Sequence, residues 1–409
     1  MNKNSAIDVY LKLRFFSALF FSAIITVNLV YQATIVGLNP LQLVLVGTLL
    51  ESVCFIFEIP TGIVADLYSR KVSVIIGVFL VGLGFVFEGT FATFLGVLIA
   101  QIIWGIGFTF ISGAREAWIA DELGERNAGK AFVRGQKMNQ IGMFFGIILA
   151  IFLANIDIRL PIILGGALYA LQAIYLCKFM PENNFKPVPI EKRETWGTMK
   201  KTFWNGLKLV KNNKMILFLI GIVMVFGMFS EGFDRLWTPF LINDFVFPEF
   251  FNFEPVVWFG IISLIATFLT TFMIEFIDRK IDMNNQKSVI KSLFCINMFL
   301  MLMVFVFALA FNFVIAVSAY CLIFMFKESF IPLSNALINQ NLESKTRATV
   351  FSFSSQMDSL GQIMVGPLLG LIASVISIKM GLLVSGAIII LSLFFYFFAI
   401  IKISTKSIE

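Results

Sequence analysis

The sequence predicts an all-α integral membrane protein with twelve transmembrane helices in two pseudo-symmetric six-helix bundles. Of its 409 residues, 59% are hydrophobic and only 14% are charged, whereas charged residues make up about a quarter of a soluble domain. The apolar runs are about twenty residues long, which is the length that a helix needs to cross the hydrocarbon core of a bilayer.

The apolar runs divide the chain into twelve candidate spans. They begin near Phe15, Leu41, Val72, Phe91, Met138, Leu160, Met215, Val256, Ser288, Asn312, Ala348 and Met380. The first run is too long for the core of a signal peptide, so we expect it to stay in the mature protein as the first span.

One long polar segment follows the sixth span. Its prolines and basic residues are typical of a linker. We therefore predict an N-terminal six-helix bundle at 1–180, a cytoplasmic linker at 181–213 and a C-terminal six-helix bundle at 214–409. A short amphipathic helix on the membrane surface is predicted within the linker, because apolar residues recur there at spacings of three and four. These residues are Trp196, Met199, Phe203, Leu207 and Val210.

Lysines and arginines are distributed unequally between the two ends of the predicted spans. The loops on one side hold only Arg159 and Lys379, and Arg235 and Lys327 lie within spans; the remaining basic residues fall on the other side. By the positive-inside rule, both termini and the linker are cytoplasmic, and the protein is a multi-pass protein of the cell membrane. The basic linker fits attraction to anionic lipid and requires no nucleic acid.

Two short sequence similarities suggest that the two halves of the chain are repeats. The motif Asp66-x-x-x-Arg70-Lys71 follows span two, and Glu275-x-x-Asp278-Arg279-Lys280 follows span eight, the equivalent helix of the second half. Gly142-x-x-x-Gly146 in span five likewise corresponds to the glycines from Gly361 to Gly370 in span eleven. Internal repeats of this kind are common in transporters.

Carboxylates within the spans are the candidates for chemistry. Glu51 and Glu58 are seven residues apart in span two, so they share one helix face about 10.5 Å apart along the axis. A charge at the bilayer centre costs about 2.5–3.5 kcal/mol, which favours a functional role. The alternative is a position near water at a helix end, and the apolar segment 54–57 argues against it. Glu88, near the outer end of span three, is a third candidate, with a solvated position as the alternative.

The second half supplies further candidates. Glu231 and Arg235 in span seven have the i, i+4 spacing of a neutralised pair. Asp234 then has no obvious partner in its own helix, which makes it a candidate for binding a proton or cation. Asp358 in span eleven follows a polar run, so this helix is expected to face a wet cavity.

The sequence argues against an enzyme and against an ATP-driven pump. It contains no histidine, and its four cysteines lie singly in apolar runs, so proton transfer falls to carboxylates. The segment from Gly124 to Ala131 resembles a phosphate-binding loop but lacks the final hydroxyl residue and a preceding strand. We therefore expect an ion gradient as the energy source and no permanently bound cofactor or metal.

The segment Gly62-Ile-Val-Ala-Asp66-Leu-Tyr-Ser-Arg70-Lys71 resembles the signature loop of the major facilitator superfamily. The twelve spans and the central linker extend this resemblance over the whole chain. Two positions differ, because Leu67 stands where the family usually has arginine and Ser69 where it has glycine.

The resemblance implies a cytoplasmic gate. In the family, the glycine at the position of Gly62 lets helices approach closely, and the aspartate, here Asp66, contacts the amino end of span eleven. The basic residues, here Arg70 and Lys71, pair with an acid at the end of span four, which is Asp121 in this sequence.

Within the superfamily, the stretch from Glu51 to Asp66, with Glu88 and the segment 112–121, looks most like the P-class tetracycline efflux proteins. This implies export of tetracycline, carried as a magnesium chelate, in exchange for a proton, by a monomer. Gln101 stands where drug exporters usually carry arginine, and Ile147 where they often have proline. Proton coupling would therefore shift toward Glu51, Glu58 and Asp358.

Other substrates share the same framework. The alternatives are proton-coupled export of another lipophilic drug, such as a macrolide, and a symporter that takes up a small solute. Because the charges within the spans are mainly acidic, a cationic or chelated small molecule is favoured over an organic anion.

Overall fold

The computed structural model describes residues 3–187, 204, 214–248, 255–283, 285–341 and 347–406. Regular structure in these residues is helical throughout. The helices are α1 (Lys3–Thr34), α2 (Pro40–Leu67), α3 (Arg70–Thr90), α4 (Phe94–Ile111), α5 (Ala114–Leu123), α6 (Glu125–Ala154), α7 (Leu160–Phe179), α8 (Lys214–Asp244), α9 (Pro255–Lys280), α10 (Gln286–Ala308), α11 (Phe313–Gln340), α12 (Arg347–Val375) and α13 (Ile378–Lys406). The five residues of the predicted linker helix lie outside the described residues.

Twelve helical stretches of the described chain are long and apolar enough to cross a membrane, with α4 and α5 together forming one of them. This confirms the predicted fold class and the number of spans. Two helices begin well before their apolar runs, α1 at Lys3 and α6 at Glu125. In sequence, the first turns of both helices are polar.

The fourth span contains a break that the hydropathy pattern did not predict. Helix α4 ends at Ile111, and α5 begins at Ala114. Gly113 between them has a φ angle of 71°, a left-handed conformation that glycine adopts without steric penalty. The break places Arg115 and Glu116 in the first turn of a new helix, where their side chains take a different direction from those of α4.

The chain forms two compact units. Unit 1 comprises Met1–Leu38, Leu49–Met199 and Glu249–Gly260, and unit 2 comprises Asn39–Thr48, Lys200–Pro248 and Ile261–Glu409. Most of each unit comes from one half of the chain, while α2 and α9 contribute residues to both.

Each unit packs its helices in the same order. In unit 1, α1 packs against α6 and α7, and α3 packs against α4 and α7. In unit 2, α8 packs against α12 and α13, and α10 packs against α11 and α13. Counted by span, the packed pairs of unit 1 are 1–5, 1–6, 3–4 and 3–6. The packed pairs of unit 2 are the equivalent spans of the second half, 7–11, 7–12, 9–10 and 9–12. This agreement supports the predicted internal repeat.

Glycines allow the equivalent helix pairs to approach closely. A Cβ atom at Gly142 or Gly146 of α6 would collide with a backbone carbonyl of α1. A Cβ atom at Gly361 of α12 would collide in the same way with the carbonyl of Met224 in α8. The glycines that suggested a repeat in the sequence therefore have the same packing role in spans five and eleven.

Candidate functional site

The two acids of span two lie on the less buried side of α2. Glu51 is half-buried and Glu58 is exposed. Pro60 lies inside the same helix, two residues after Glu58. Proline lacks an N–H, so the helical hydrogen bond to the Ile56 carbonyl is missing. At the next residue, the Thr61 hydroxyl donates to the carbonyl oxygens of Phe57 at 2.9 Å and Glu58 at 3.1 Å.

Glu88 is fully buried near the end of α3, so the alternative of a solvated position is wrong. Its carboxylate accepts hydrogen bonds from Gln32 Nε2 at 2.7 Å and from Gln101 Nε2 at 3.2 Å. Trp104 Nε1 donates to Gln101 Oε1 at 2.9 Å. We call these four residues, from α1, α3 and α4, the Glu88 network.

The Glu88 network suits a carboxyl group that changes its protonation state. A buried polar group is stable only when its hydrogen bonds are made, and the two amides supply donors to an ionised carboxylate. Gln32 Oε1 is buried and has no hydrogen-bond partner. Because an amide can rotate to exchange its oxygen and nitrogen, this oxygen is available to accept a hydrogen bond from a protonated Glu88.

A cavity of about 300 Å³ lies within unit 1, where α1, α6 and α7 meet the junction of α4 and α5. Its apolar wall includes Phe21, Trp104 and Phe108. The rings of Phe85 and Trp104 stack with centroids 5.3 Å apart. Trp104 therefore belongs to both the cavity wall and the Glu88 network, and it connects the two.

The cavity also contains two arginines that the sequence analysis did not select. Arg14 and Arg115 line it together with Glu116. Arg115 Nη2 lies 2.7 Å and Arg14 Nη1 lies 3.9 Å from the same oxygen, Glu116 Oε1. Arg14 Nη2 also donates to Gln136 Oε1 at 2.9 Å. The charge distribution in the sequence predicts only that both arginines lie on the cytoplasmic side. No motif distinguishes them from the other basic residues.

The signature loop forms the ion pair that the family resemblance implies. Arg70 of α3 pairs with Asp121 of α5 and donates to the carbonyl oxygen of Ala117 at 2.8 Å. Arg70 Nη2 also lies 3.7 Å from Asp66 Oδ1. The geometry thus ties the start of α3 to α5, while its role as a gate stays a prediction.

Of two other expectations for the loop, one is not met in the described residues and the other falls on residues outside them. No described atom lies within 4 Å of a Cβ atom built on Gly62, so the close helix approach implied at this position is not seen. The predicted partner of Asp66, the start of span eleven, includes residues 342–346 and the side chains of 347–349, which lie outside the described residues.

An acidic residue that the sequence did not single out forms hydrogen bonds to the loop where α3 begins. Glu182, just after α7, accepts hydrogen bonds from the Ser69 hydroxyl at 2.5 Å and from the backbone N–H of Lys71 at 2.8 Å. The Ser69 oxygen in turn caps α3 by accepting from Val72 N. A carboxylate at a helix amino end is favourable. Ser69, which replaces the family's usual glycine, thus supplies two contacts that glycine cannot make.

The charges of span seven are paired in unit 2. Asp234, for which the sequence offers no partner in its own helix, forms an ion pair with Lys327 of α11. Its partner comes from another helix, 93 residues away in sequence. Glu231 Oε1 lies 3.5 Å from Arg235 Nε within α8, as the i, i+4 spacing predicted.

Asp358 is half-buried on α12. Its carboxylate accepts a hydrogen bond from Gln362 Nε2 at 3.0 Å, one turn along the same helix. A Cβ atom at Gly227 of α8 would lie 2.9 Å from Asp358 Oδ1. The side chain therefore lies beside the packed α8–α12 pair.

The fold defines a class of multi-pass membrane proteins with two similar six-span halves. The family model of the Major Facilitator Superfamily matches residues 13–327, and the chain belongs to this superfamily of membrane transporters. An uncharacterized MFS-type transporter, YxaM, of Bacillus subtilis (strain 168) is 25% identical over 366 residues, which cover 87% of this chain and 86% of the relative.

Solved structures agree with this fold. The nucleoside transporter NupG superimposes with a TM-score of 0.75 at 17% identity, covering 98% of this chain and 99% of NupG. A bacterial homologue of the human lysosomal transporter Spinster, in an inward-facing and unoccupied conformation, gives a TM-score of 0.76 at 14% identity, covering 98% of each chain. At these identities the likeness shows the fold alone.

Proposed function

We propose that this transporter is a proton-coupled antiporter that exports a lipophilic drug across the cell membrane by alternating access, and that it catalyses no reaction. The observation that carries the proposal is the shared position of Trp104. Its ring lines the cavity, and its Nε1 donates to Gln101, which donates to the buried carboxylate of Glu88. Occupancy of the cavity and the protonation of Glu88 are thereby linked.

The linkage follows from hydrogen-bond geometry. A ligand that displaces the Trp104 ring removes the donor that orients the Gln101 amide. Gln101 is then free to rotate, and the set of donors and acceptors around Glu88 changes. Because a buried carboxyl group depends strongly on these partners, the ligand and the proton influence each other's binding, and such coupling is necessarily reciprocal.

The remaining acids have different places in this proposal. The proton also binds in turn to three further carboxylates, those of Glu51, Glu58 and Asp358. Asp234 is neutralised by Lys327 and is left out of the proton path. We assign Glu231 and Arg235 a structural role as an ion pair within α8.

We propose that the signature loop acts as the gate on the cytoplasmic side. The ion pair of Arg70 with Asp121 and the hydrogen bonds of Glu182 to the start of α3 support this role. Gly62, Asp66 and Lys71 belong to the same loop, and we propose that both termini lie in the cytoplasm.

Tetracycline, carried with magnesium, is the substrate that the family resemblance implies, and it is the first drug to test. A macrolide is the second. We propose that a monomer carries out transport, with membrane lipid around it and with magnesium bound only as part of the substrate.

The sign of proton movement tests the proposal. The purified chain is reconstituted into liposomes that contain a pH-sensitive dye, and tetracycline with magnesium, or a macrolide, is added outside. An antiporter moves drug inward and protons outward, so the lumen becomes alkaline; an uptake symporter acidifies it. Liposomes without protein correct for drug that crosses the lipid alone. Acidification, or no protein-dependent pH change with either drug, contradicts the proposal.

The proton gradient is sufficient for substantial accumulation. One charge moving through 100 mV supplies about 2.3 kcal/mol. Since about 1.4 kcal/mol corresponds to a tenfold concentration ratio, exchange of an uncharged drug for one proton supports a gradient of roughly fortyfold. Exchange of a singly charged cationic chelate moves no net charge and is driven by the pH difference alone.

A further inference from the structure

The cavity in unit 1 contains more positive than negative charge. Arg14 and Arg115 both approach Glu116, and both contacts converge on the single oxygen Oε1. Two guanidinium groups with one carboxylate leave one positive charge among these three cavity residues. This is the opposite of the acidic character that the sequence predicted for the substrate path.

Arg14 retains unused hydrogen-bonding capacity. Its Nε is buried and has no hydrogen-bond partner, and its side chain is only 13% exposed. Its contact with Glu116 at 3.9 Å is too long for a hydrogen bond. A buried donor without a partner is unfavourable, so a rotation of the Arg14 side chain that gives Nε an acceptor from the cavity is stabilising.

Part of the cavity wall is aromatic. Phe21 lies 6.2 Å from Phe85 and 6.3 Å from Trp104 by ring centroids, and Phe108 also lines the cavity. Aromatic walls with a few fixed polar groups are typical of small-molecule sites. The combination suits a molecule that has a flat apolar body and one acidic group.

We propose that this cavity binds an amphipathic organic anion, with its acidic group on Arg14 and Arg115 and its apolar body against Trp104 and Phe108. This rests on the proposed function, because it identifies the chemical class of the exported drug, and it favours a drug with an acidic group over the magnesium chelate of tetracycline. Arginine suits this role, since hydrogen bonds from a guanidinium group to a carboxylate or sulfonate are charge-assisted. Arg115 already donates Nε and Nη2 to Glu116 at 2.9 and 2.7 Å, so the ligand would meet the remaining guanidinium donors. A cationic magnesium chelate would instead meet two arginines.

Three probes with one aromatic body test the charge preference. They are 1-naphthylacetate, 1-naphthylacetamide and 1-naphthylmethylammonium, which carry a negative, a neutral and a positive group. Binding to the full chain in lipid nanodiscs is measured by calorimetry, so neither transport nor proton coupling is needed. We expect the acetate to bind about tenfold more tightly than the amide, as one charge-assisted hydrogen bond would give, and the ammonium most weakly.

Variants test which residues cause the tighter binding of the acetate. Arg14→Gln is expected to remove most of the tenfold advantage of the acetate over the amide, and Arg14→Lys to retain part of it. Glu116→Gln removes the competing carboxylate and is expected to strengthen acetate binding, a gain that a purely structural role for Glu116 does not predict. Arg279→Gln changes an exposed arginine of α9 that pairs with Glu275, and it is the matched control.

The amide probe also reports folding, because its affinity does not depend on the net charge of the cavity. A variant that keeps amide binding is folded at the site. Three results would overturn the inference. In the unaltered chain, these are equal affinities for the three probes or tighter binding of the ammonium. In Arg14→Gln, it is a preference for the acetate that persists. Since these are binding results, they are independent of whether the liposome assay detects antiport.

Discussion

The hydrogen bond between Gln32 and Glu88 yields the sharpest energetic prediction. Gln32 Nε2 lies 2.7 Å from Glu88 Oε1, and both residues are buried. Hydrogen bonds to charged groups contribute about 1.5–3 kcal/mol. Gln32→Leu leaves one carboxylate oxygen without this donor, so we expect it to lower the free energy of unfolding by about 2–3 kcal/mol.

A double-mutant cycle isolates this contact. Glu88→Leu leaves the amides of Gln32 and Gln101 without their acceptor and is expected to cost about 2 kcal/mol. Combining Gln32→Leu with Glu88→Leu removes both partners of the 2.7 Å bond. The double variant should therefore lose about 2 kcal/mol less than the sum of the single variants.

Unfolding is measured by circular dichroism in mixed micelles as the fraction of denaturing detergent rises. The control cycle combines Gln32→Leu with Glu275→Leu, whose carboxylate pairs with Arg279. Its effects should add within about 0.5 kcal/mol. If the Gln32 and Glu88 variants are also additive within that margin, the hydrogen bond contributes nothing to stability, and the argument for a tuned Glu88 network fails.

Two further predictions concern packing and the signature loop. In Gly82→Ala, the new Cβ lies 2.5 Å from the Gly166 carbonyl oxygen, so we expect a loss of about 1–3 kcal/mol in unfolding free energy. The control is Gly129→Ala, whose Cβ meets no described atom within 4 Å. This variant should be neutral or stabilising. Equal effects would contradict the observed packing. Arg70 uses Nη1 for Asp121 and the Ala117 carbonyl and Nη2 for Asp66. Arg70→Lys has only one terminal nitrogen for these contacts and should lose about 1 kcal/mol; unchanged stability would argue against the loop contacts.

Much of the fold was predictable because membrane crossing imposes a minimum length and hydropathy on each helix. The positions of the twelve spans follow from these two quantities alone. The break between α4 and α5 does not, since Ser112 and Gly113 are small residues of a kind found in many unbroken membrane helices. Only the left-handed conformation of Gly113 reveals it, and this break brings Arg115 to the cavity.

The candidate site was predictable where partners are close in sequence. The pairing of Glu231 with Arg235 follows from i, i+4 spacing. The partners of Glu88 are 56 and 13 residues away, on helices whose packing the sequence does not specify. The same reason explains why the sequence did not reveal the partner of Asp234, which lies on α11.

The cavity was missed for a different reason. Arg14 and Arg115 lie at the ends of apolar runs, where a positive charge is expected from topology alone. Their contribution to a binding site depends on how α1 meets the junction of α4 and α5. Composition within the spans suggested an acidic substrate path, whereas the geometry of unit 1 collects basic side chains in one cavity.

The proposed role of Glu88 is tested most directly by separating proton coupling from drug movement. In proteoliposomes, Glu88→Gln should abolish the alkalinisation of the lumen that drug addition causes, while exchange of labelled for unlabelled drug continues, because that exchange needs no net proton transfer. Glu275→Gln, an equivalent change at an exposed acid, should retain both activities. Normal drug-driven alkalinisation by Glu88→Gln would contradict the account.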